Sequence, residues 1–203
     1  MEYKGVLIGL GNPGKKYEGT RHNCGFSMLS DLLEIAGATG VVSKLNGDKF
    51  SCELWRVTLP RLKGIWLCAR PLTFMNNSGD CAQPLLAWHK IPPDRMVVAH
   101  DELDIPAGEL RFKLGGGNAG HNGLESISGR LGTPDFYRLR IGIGRPLQKN
   151  DVIHWVLGRP DAAGATILRK AVREAIEILL TFADKGLQAA AIQARAVRPA
   201  PPS

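Results

Sequence analysis

The chain has 203 residues, 44% of them hydrophobic and 22% charged, ordinary proportions for one compact domain able to bury a core. Lys and Arg outnumber Asp and Glu 26 to 19, a formal net charge of +7 that fits either plain solubility or a polyanionic partner. No apolar run reaches the length of a membrane span, the first one is too short for a signal peptide, and Cys24, Cys52, Cys68 and Cys81 form no CxxC pair, so reduced core thiols and a cytoplasmic location are expected.

Residues 5–10 are a short Val, Leu and Ile run closed by Gly11-Asn12-Pro13-Gly14, which predicts a buried strand ending in a tight turn. Phe26, Leu29, Leu32, Leu33 and Ala36 recur at helical spacing, with Gly37 as the expected stop. Strands are expected over residues 50–58 and 64–70. A second helix should begin near Asn77 and Ser78, with Cys81, Leu85 and Trp88 on one face. Pro84 should kink or delay it, because proline lacks the N–H and clashes one turn back.

Further strands are expected over residues 95–99, 109–114 and 138–144. A glycine loop, residues 115–120, leads into a short helix carrying Leu124, Ile127 and Leu131, capped by Gly132. The last third reads as a long amphipathic helix stopped by Gly186, then a weaker Ala-rich helix. Strands alternating with helices predict one α/β domain over residues 1–198, a twisted, mostly parallel mixed sheet flanked by helices, with a disordered tail over 199–203.

Gly9-Leu10-Gly11-Asn12-Pro13-Gly14 matches the dinucleotide fingerprint GxGxxG after a predicted strand. The fingerprint needs a helix opening directly at the glycines, so that its N-terminus meets the pyrophosphate. Pro13 and the polar stretch to His22 delay that helix by roughly two turns of chain. The acidic residues that should end a second strand, Asp31 and Glu34, fall inside the helix instead. A nicotinamide or flavin cofactor is therefore disfavoured.

Polar residues cluster where strands end or helices begin: Asn12, Thr20 to Asn23, Asn76 to Ser78, His100 to Glu102, and Asn122. In open α/β sheets, sites form at the carboxyl ends of strands. Each residue also has an ordinary reading. Asn23, Asn77 and Ser78 suit N-caps, Asn12 suits a turn, and Asp101 suits the cap of the turn after it. His22 is the best single candidate, because a helix N-terminus disfavours imidazolium and keeps the ring able to accept a proton. A carboxylate such as Asp101 would fix its tautomer. With no GxSxG elbow, no HExxH and no His pair at ligand spacing, what remains is metal-free activation of water by a general base, suited to an activated ester.

The segments LIGLGNPGKKYEGTRHNCGF (7–26), RPLTFMNNSG (70–79), HDELD (100–104), GHNGL (120–124), YRLRIGIGRP (137–146) and WVLG (155–158) together resemble bacterial-type peptidyl-tRNA hydrolase. The resemblance implies a monomeric enzyme with no cofactor and no metal, acting on peptidyl-tRNA. It implies His22 as catalytic base with Asp101 as partner, and Asn12 positioning the ester. Asn76 and Asn122 would bind the peptide backbone, Tyr17 and Met75 would line the cleft, and Lys113 and Arg140 would hold the tRNA 5′ phosphate. Phosphate contacts of that kind call for Lys or Arg and carry little sequence information. Two departures stand out. Asn118-Ala119 replaces the family's usual His-Gly, restricting the backbone, and Pro84 interrupts the helix after Asn76. A non-catalytic RNA-binding relative is the competing class; it would keep the basic surface and lose catalytic residues that are all present here.

Overall fold

The computed structural model describes residues 2–199. Seven strands form one sheet in the order β2-β3-β4-β1-β5-β7-β6. They are β1 (Gly5–Gly9), β2 (Val41–Leu45), β3 (Cys52–Leu59), β4 (Gly64–Pro71), β5 (Met96–Glu102), β6 (Leu110–Leu114) and β7 (Tyr137–Gly142). The central strands β4, β1, β5 and β7 run parallel. Antiparallel pairings of β3 with β4, β2 with β3 and β6 with β7 extend the sheet on either side.

Every residue of β1 and β5 is buried, as expected for parallel strands covered on both faces. Because side chains alternate, each strand feeds two cores. Leu7, Val97, Ala99, Leu139 and Ile141 pack on one side with Met28, Leu32, Val172, Ile176 and Leu179. Those partners belong to α1 (Cys24–Thr39) and α5 (Ala162–Ala196). Val6, Ile8, Met96 and Val98 pack on the other side with Cys81, Leu85, Leu124 and Ile127, from α2 (Gly79–His89) and α3 (Asn122–Leu131). The result is the three-layer α/β/α arrangement expected from the sequence. All four cysteines are free and buried.

Several local expectations need correction. Helix α1 runs through Gly37 and ends at Gly40, where a Cβ would stand 2.2 Å from Thr58 O, so close passage against β3 ends the helix. Strand β2 was not foreseen; its half-exposed sequence VVSKL gains order from pairing with β3. Pro84 neither delays nor ends α2, which begins at Gly79 and continues to His89. Trp88, expected on the buried face, is 66% exposed in the last turn of α2, with Lys49 Nζ 3.1 Å from its ring centroid. Gly186 does break the last helix, at φ 82° and ψ −176°, but helix resumes beyond it. A separate short helix, α4 (Val152–Leu157), precedes α5. The expected tail beyond residue 199 lies outside the described residues.

Glycines at the end of β1 and the start of α1 serve packing. A Cβ on Gly9 would lie 2.4 Å from Gly25 O, and one on Gly25 would lie 2.4 Å from Ala99 O and 2.5 Å from Leu10 N. Without side chains at these two positions, the start of α1 docks directly on the ends of β1 and β5. Gly25→Ala must push that start away from the sheet, with an expected loss of about 1–3 kcal/mol. Denaturant midpoints check this, and activity should fall with stability because His22 lies just before α1.

Candidate active site

β1 runs between β4 and β5, and the loops leaving the carboxyl ends of all three converge. β1 delivers Asn12, β4 delivers Met75 and Asn76, and β5 carries His100, Asp101 and Glu102 to its end. The chain enters α1 through a 3₁₀ turn, Arg21–Asn23, which places His22 beside β5.

Asp101 is the centre of the cluster, 3% exposed. Its Oδ1 lies 2.8 Å from His22 Nδ1 and 3.0 Å from His121 Nε2. The acceptor at the other end of His121 settles the proton positions there. His121 Nδ1 accepts the N–H groups of Gly123 and Leu124, at 3.2 and 3.4 Å, and so caps α3. A nitrogen used as acceptor carries no proton, so the His121 proton is on Nε2 and is donated to Asp101. Burial pushes the Asp101 pKa up, but the contacts from His121 and His22 hold it well below the usual carboxylate range. An ionised carboxylate only accepts, so His22 donates from Nδ1 and keeps its Nε2 lone pair free.

His22, Asp101 and His121 border a pocket of about 160 Å³, together with Asn122, Ala119 and Gly120 of the glycine loop and Val152, Ile153 and Val156 of α4. The residue before His22 fastens α4 in place. The Arg21 guanidinium lies 3.7 Å from the Trp155 ring centroid, and Nη1 donates to Trp155 O and Gly158 O. Trp155 in turn donates from Nε1 to Gly144 O at 2.9 Å.

The ligand atoms of His22, Asp101 and His121 all lie within 4.8 Å of one another, close enough to hold a metal ion. The tautomers argue against that use. His121 would have to bind metal through Nε2, and freeing that nitrogen of its proton would cost the cap on α3.

Asn12 and Asn23 form a junction beside this cluster. Asn23 Oδ1 accepts the Asn12 backbone N–H at 2.8 Å, and Asn23 Nδ2 donates to Asn12 O at 3.0 Å. Asn12 Oδ1 accepts the Met75 N–H at 2.8 Å, tying β1's loop to β4's. Neither Asn23 nor Ser78 caps a helix with its side chain, contrary to expectation. A cap residue needs extended backbone. Ser78 is already helical at φ −60° and ψ −25°, its Oγ donating to Met75 O, while Asn77 ends a 3₁₀ turn.

Of the other expected site residues, Asn122 borders the pocket. Met75 is buried, Tyr17 is half-buried, and Asn76 and Asn122 are exposed. Tyr17 meets the exposed Phe74 edge-on, their centroids 6.4 Å apart. Lys113 lies on β6, and Arg140 on the neighbouring β7, where its Nε and Nη2 donate to Glu102 Oε2 at 3.0 and 2.9 Å. Burial first, then Arg140 and Arg138, lowers the Lys113 pKa.

Sequence reasoning missed the parts of His121 and Asn23. The available signal for His121 was an imidazole standing where Asn, Asp, Ser or Thr usually caps a helix. His100 is fully buried behind the cluster. Its Nδ1 donates to Asp101 O at 2.7 Å, its ring meets His121 edge-on at 4.9 Å, and its Nε2 has no partner among the described residues. Burial first, then His121, holds its pKa well below the ordinary 6.5. The folded state therefore refuses a proton that the unfolded chain accepts. Stability should fall as pH drops below about 6.5, by up to about 1.4 kcal/mol per pH unit for each such group. Denaturant titrations from pH 7.5 to 5.5 check this, and His100→Gln should flatten the decline.

The family model described as peptidyl-tRNA hydrolase matches residues 6–200. A peptidyl-tRNA hydrolase of Desulfovibrio desulfuricans is 60% identical over 203 residues, covering 100% of this chain and 89% of that protein. One of Neisseria meningitidis serogroup A is 46% identical over 174 residues, covering 86% and 88%. The crystal structure of peptidyl-tRNA hydrolase from Acinetobacter baumannii superposes with a TM-score of 0.88 at 34% identity, covering 98% of this chain and 100% of that one. The chain belongs to the peptidyl-tRNA hydrolase family.

Proposed function

We propose that the chain hydrolyses the ester joining a peptide to the 3′ end of tRNA, by metal-free general-base catalysis in which His22 acts and Asp101 orients it. The observation that carries the reading is the 2.8 Å hydrogen bond between His22 Nδ1 and Asp101, which leaves Nε2 uncommitted on a residue that borders the pocket. In the step itself, Nε2 takes a proton from water as the water oxygen attacks the ester carbonyl. Asp101 stabilises the imidazolium that forms. The proton then passes to the departing ribose oxygen as the carbon–oxygen bond breaks, and the base is restored.

Asn12 suits the role of positioning the ester, because its Oδ1 is committed to the Met75 N–H and its Nδ2 donors remain for a substrate carbonyl. Asn76 and Asn122, both exposed, suit the peptide backbone, and Tyr17 and Met75 suit the lining of the approach. Lys113 and Arg140 suit a terminal phosphate of the tRNA, and the net charge of +7 supports a polyanionic partner. No helix among the described residues is long and apolar enough to cross a membrane, which agrees with action in the cytoplasm. The non-catalytic RNA-binding alternative is disfavoured because His22, Asp101 and Asn122 border one pocket.

The test is hydrolysis of N-acylated aminoacyl-tRNA against free aminoacyl-tRNA, with chelator present throughout. Only the N-acylated substrate should be cut, and His22→Ala should lose about 10²–10⁴-fold in kcat. Salt-dependent tRNA binding without cleavage by the wild type would leave a binding protein. Asp101→Asn should also lower kcat while retaining tRNA affinity, because it removes the charge that stabilises the imidazolium; weakened binding with unchanged kcat would contradict its role.

A further inference from the structure

Arg138 on β7 is 1% exposed, among the largest fully buried side chains of the protein. Its guanidinium lies 4.8 Å from the Phe136 ring centroid, and Nη1 donates to Gly117 O at 2.6 Å. Its buried Nε and Nη2 have no acceptor among the described residues. The neighbourhood is cationic. Arg138 is in register with Lys113, and Arg140, two residues along the strand, projects from the same face. The nearby carboxylate of Glu102 is engaged by Arg140. Burial and the charge of Arg140 both lower the Arg138 pKa. A buried cation with unsatisfied donors and like-charged neighbours is costly.

Two of these cations touch the glycine loop. Arg138 holds Gly117 O, and Lys113 Nζ lies against Gly116, where a Cβ would stand 2.5 Å from it. The loop takes an unusual backbone path: Gly115, Gly116, Ala119 and Gly120 all have positive φ, Ala119 at 50°. It leads straight into His121, which bonds Asp101, and Asn122 at the pocket.

We propose that Arg138 is a positioning residue that couples an anion held by Lys113 and Arg140 to the seating of the glycine loop, and through it to His121 and Asn122. The proposal rests on the reading that Lys113 and Arg140 receive a tRNA phosphate. Without an anion, repulsion from Lys113 and Arg140 opposes the seat of Arg138 on Gly117. A phosphate between those cations offsets the repulsion and firms the loop. The 5′ end of the correct substrate would thereby tighten the site where its 3′ ester is cut.

The experiment measures kcat and KM on N-acylated aminoacyl-tRNA with and without its 5′ phosphate, for wild type, Arg138→Lys and Arg138→Met. Hydrogen exchange of loop amides 116–120 is followed with inorganic pyrophosphate as the probe. In the wild type, the 5′ phosphate should lower KM and raise kcat at least about fivefold, and pyrophosphate should protect the loop. Arg138→Lys, which keeps the charge but not the fork, should retain the KM effect and lose most of the kcat effect and the protection. Arg138→Met should behave likewise; should it fail to fold, wild type and Arg138→Lys decide. If Arg138→Lys responds to the 5′ phosphate as the wild type does, or loses kcat equally on both substrates, the coupling is overturned alone. If the wild type itself ignores the 5′ phosphate in KM, the reading of Lys113 and Arg140 falls first, and the coupling with it.

Discussion

One carboxylate oxygen, Asp101 Oδ1, accepts hydrogen bonds from two imidazoles that face it from opposite elements. His22 arrives on the turn before α1, and His121 on the turn before α3. The two bonds are not equivalent. His121 is committed by its second nitrogen to capping α3, so it can only donate to Asp101 and has no lone pair to offer substrate. His22 has no such commitment on its remaining nitrogen, and the residue borders the pocket. The asymmetry divides the roles: His121 holds the carboxylate in place and ionised, and His22 is left as base. The buried, neutral His100 backs the same residue through its main-chain carbonyl.

That arrangement depends on a backbone junction tighter than side chains would permit. Gly9 and Gly25 bring α1 onto the sheet, and the Asn23 amide matches both backbone groups of Asn12. Asn12 then fixes Met75. Two loops from the carboxyl ends of parallel strands, those after β1 and β4, are thus tied together by hydrogen bonds to buried backbone, each of which would be costly to leave unmade. The polar residues of the cleft are largely scaffold for one another, and few atoms remain free for substrate. His22 Nε2 and Asn12 Nδ2 are the clearest of these.

Much of the fold could be read from local pattern. The fully apolar β1, the helical stripe of α1 and the break at Gly186 follow from periodicity and from glycine. The meeting of His22 with Asp101, and of both with Asn122 at one pocket, agrees with the rule that α/β sheets build sites at strand ends. The rest depends on contacts that no window of sequence contains. β2 has a polar, half-exposed sequence and becomes a strand through its partner β3. Asn23 and Ser78 looked like caps because position suggests caps, but entry through 3₁₀ turns sent their side chains elsewhere. His121 was passed over because its role lies in bridging Asp101, 20 residues away, to a helix N-terminus. Arg138 carried no signal beyond an alternating basic strand; its burial is a property of the loop folded over it.

The central claim is that Asp101 makes His22 and His121 opposite tautomers. Side-chain ¹⁵N and ¹H correlation spectra of histidine-labelled protein at neutral pH test it most directly. The account predicts a proton on His22 Nδ1 and on His121 Nε2, each donated to Asp101, with the His22 pattern changing in Asp101→Asn. A His22 protonated on Nε2, or one indifferent to the loss of Asp101, would mean that the free lone pair does not face the pocket and that His22 is not the base.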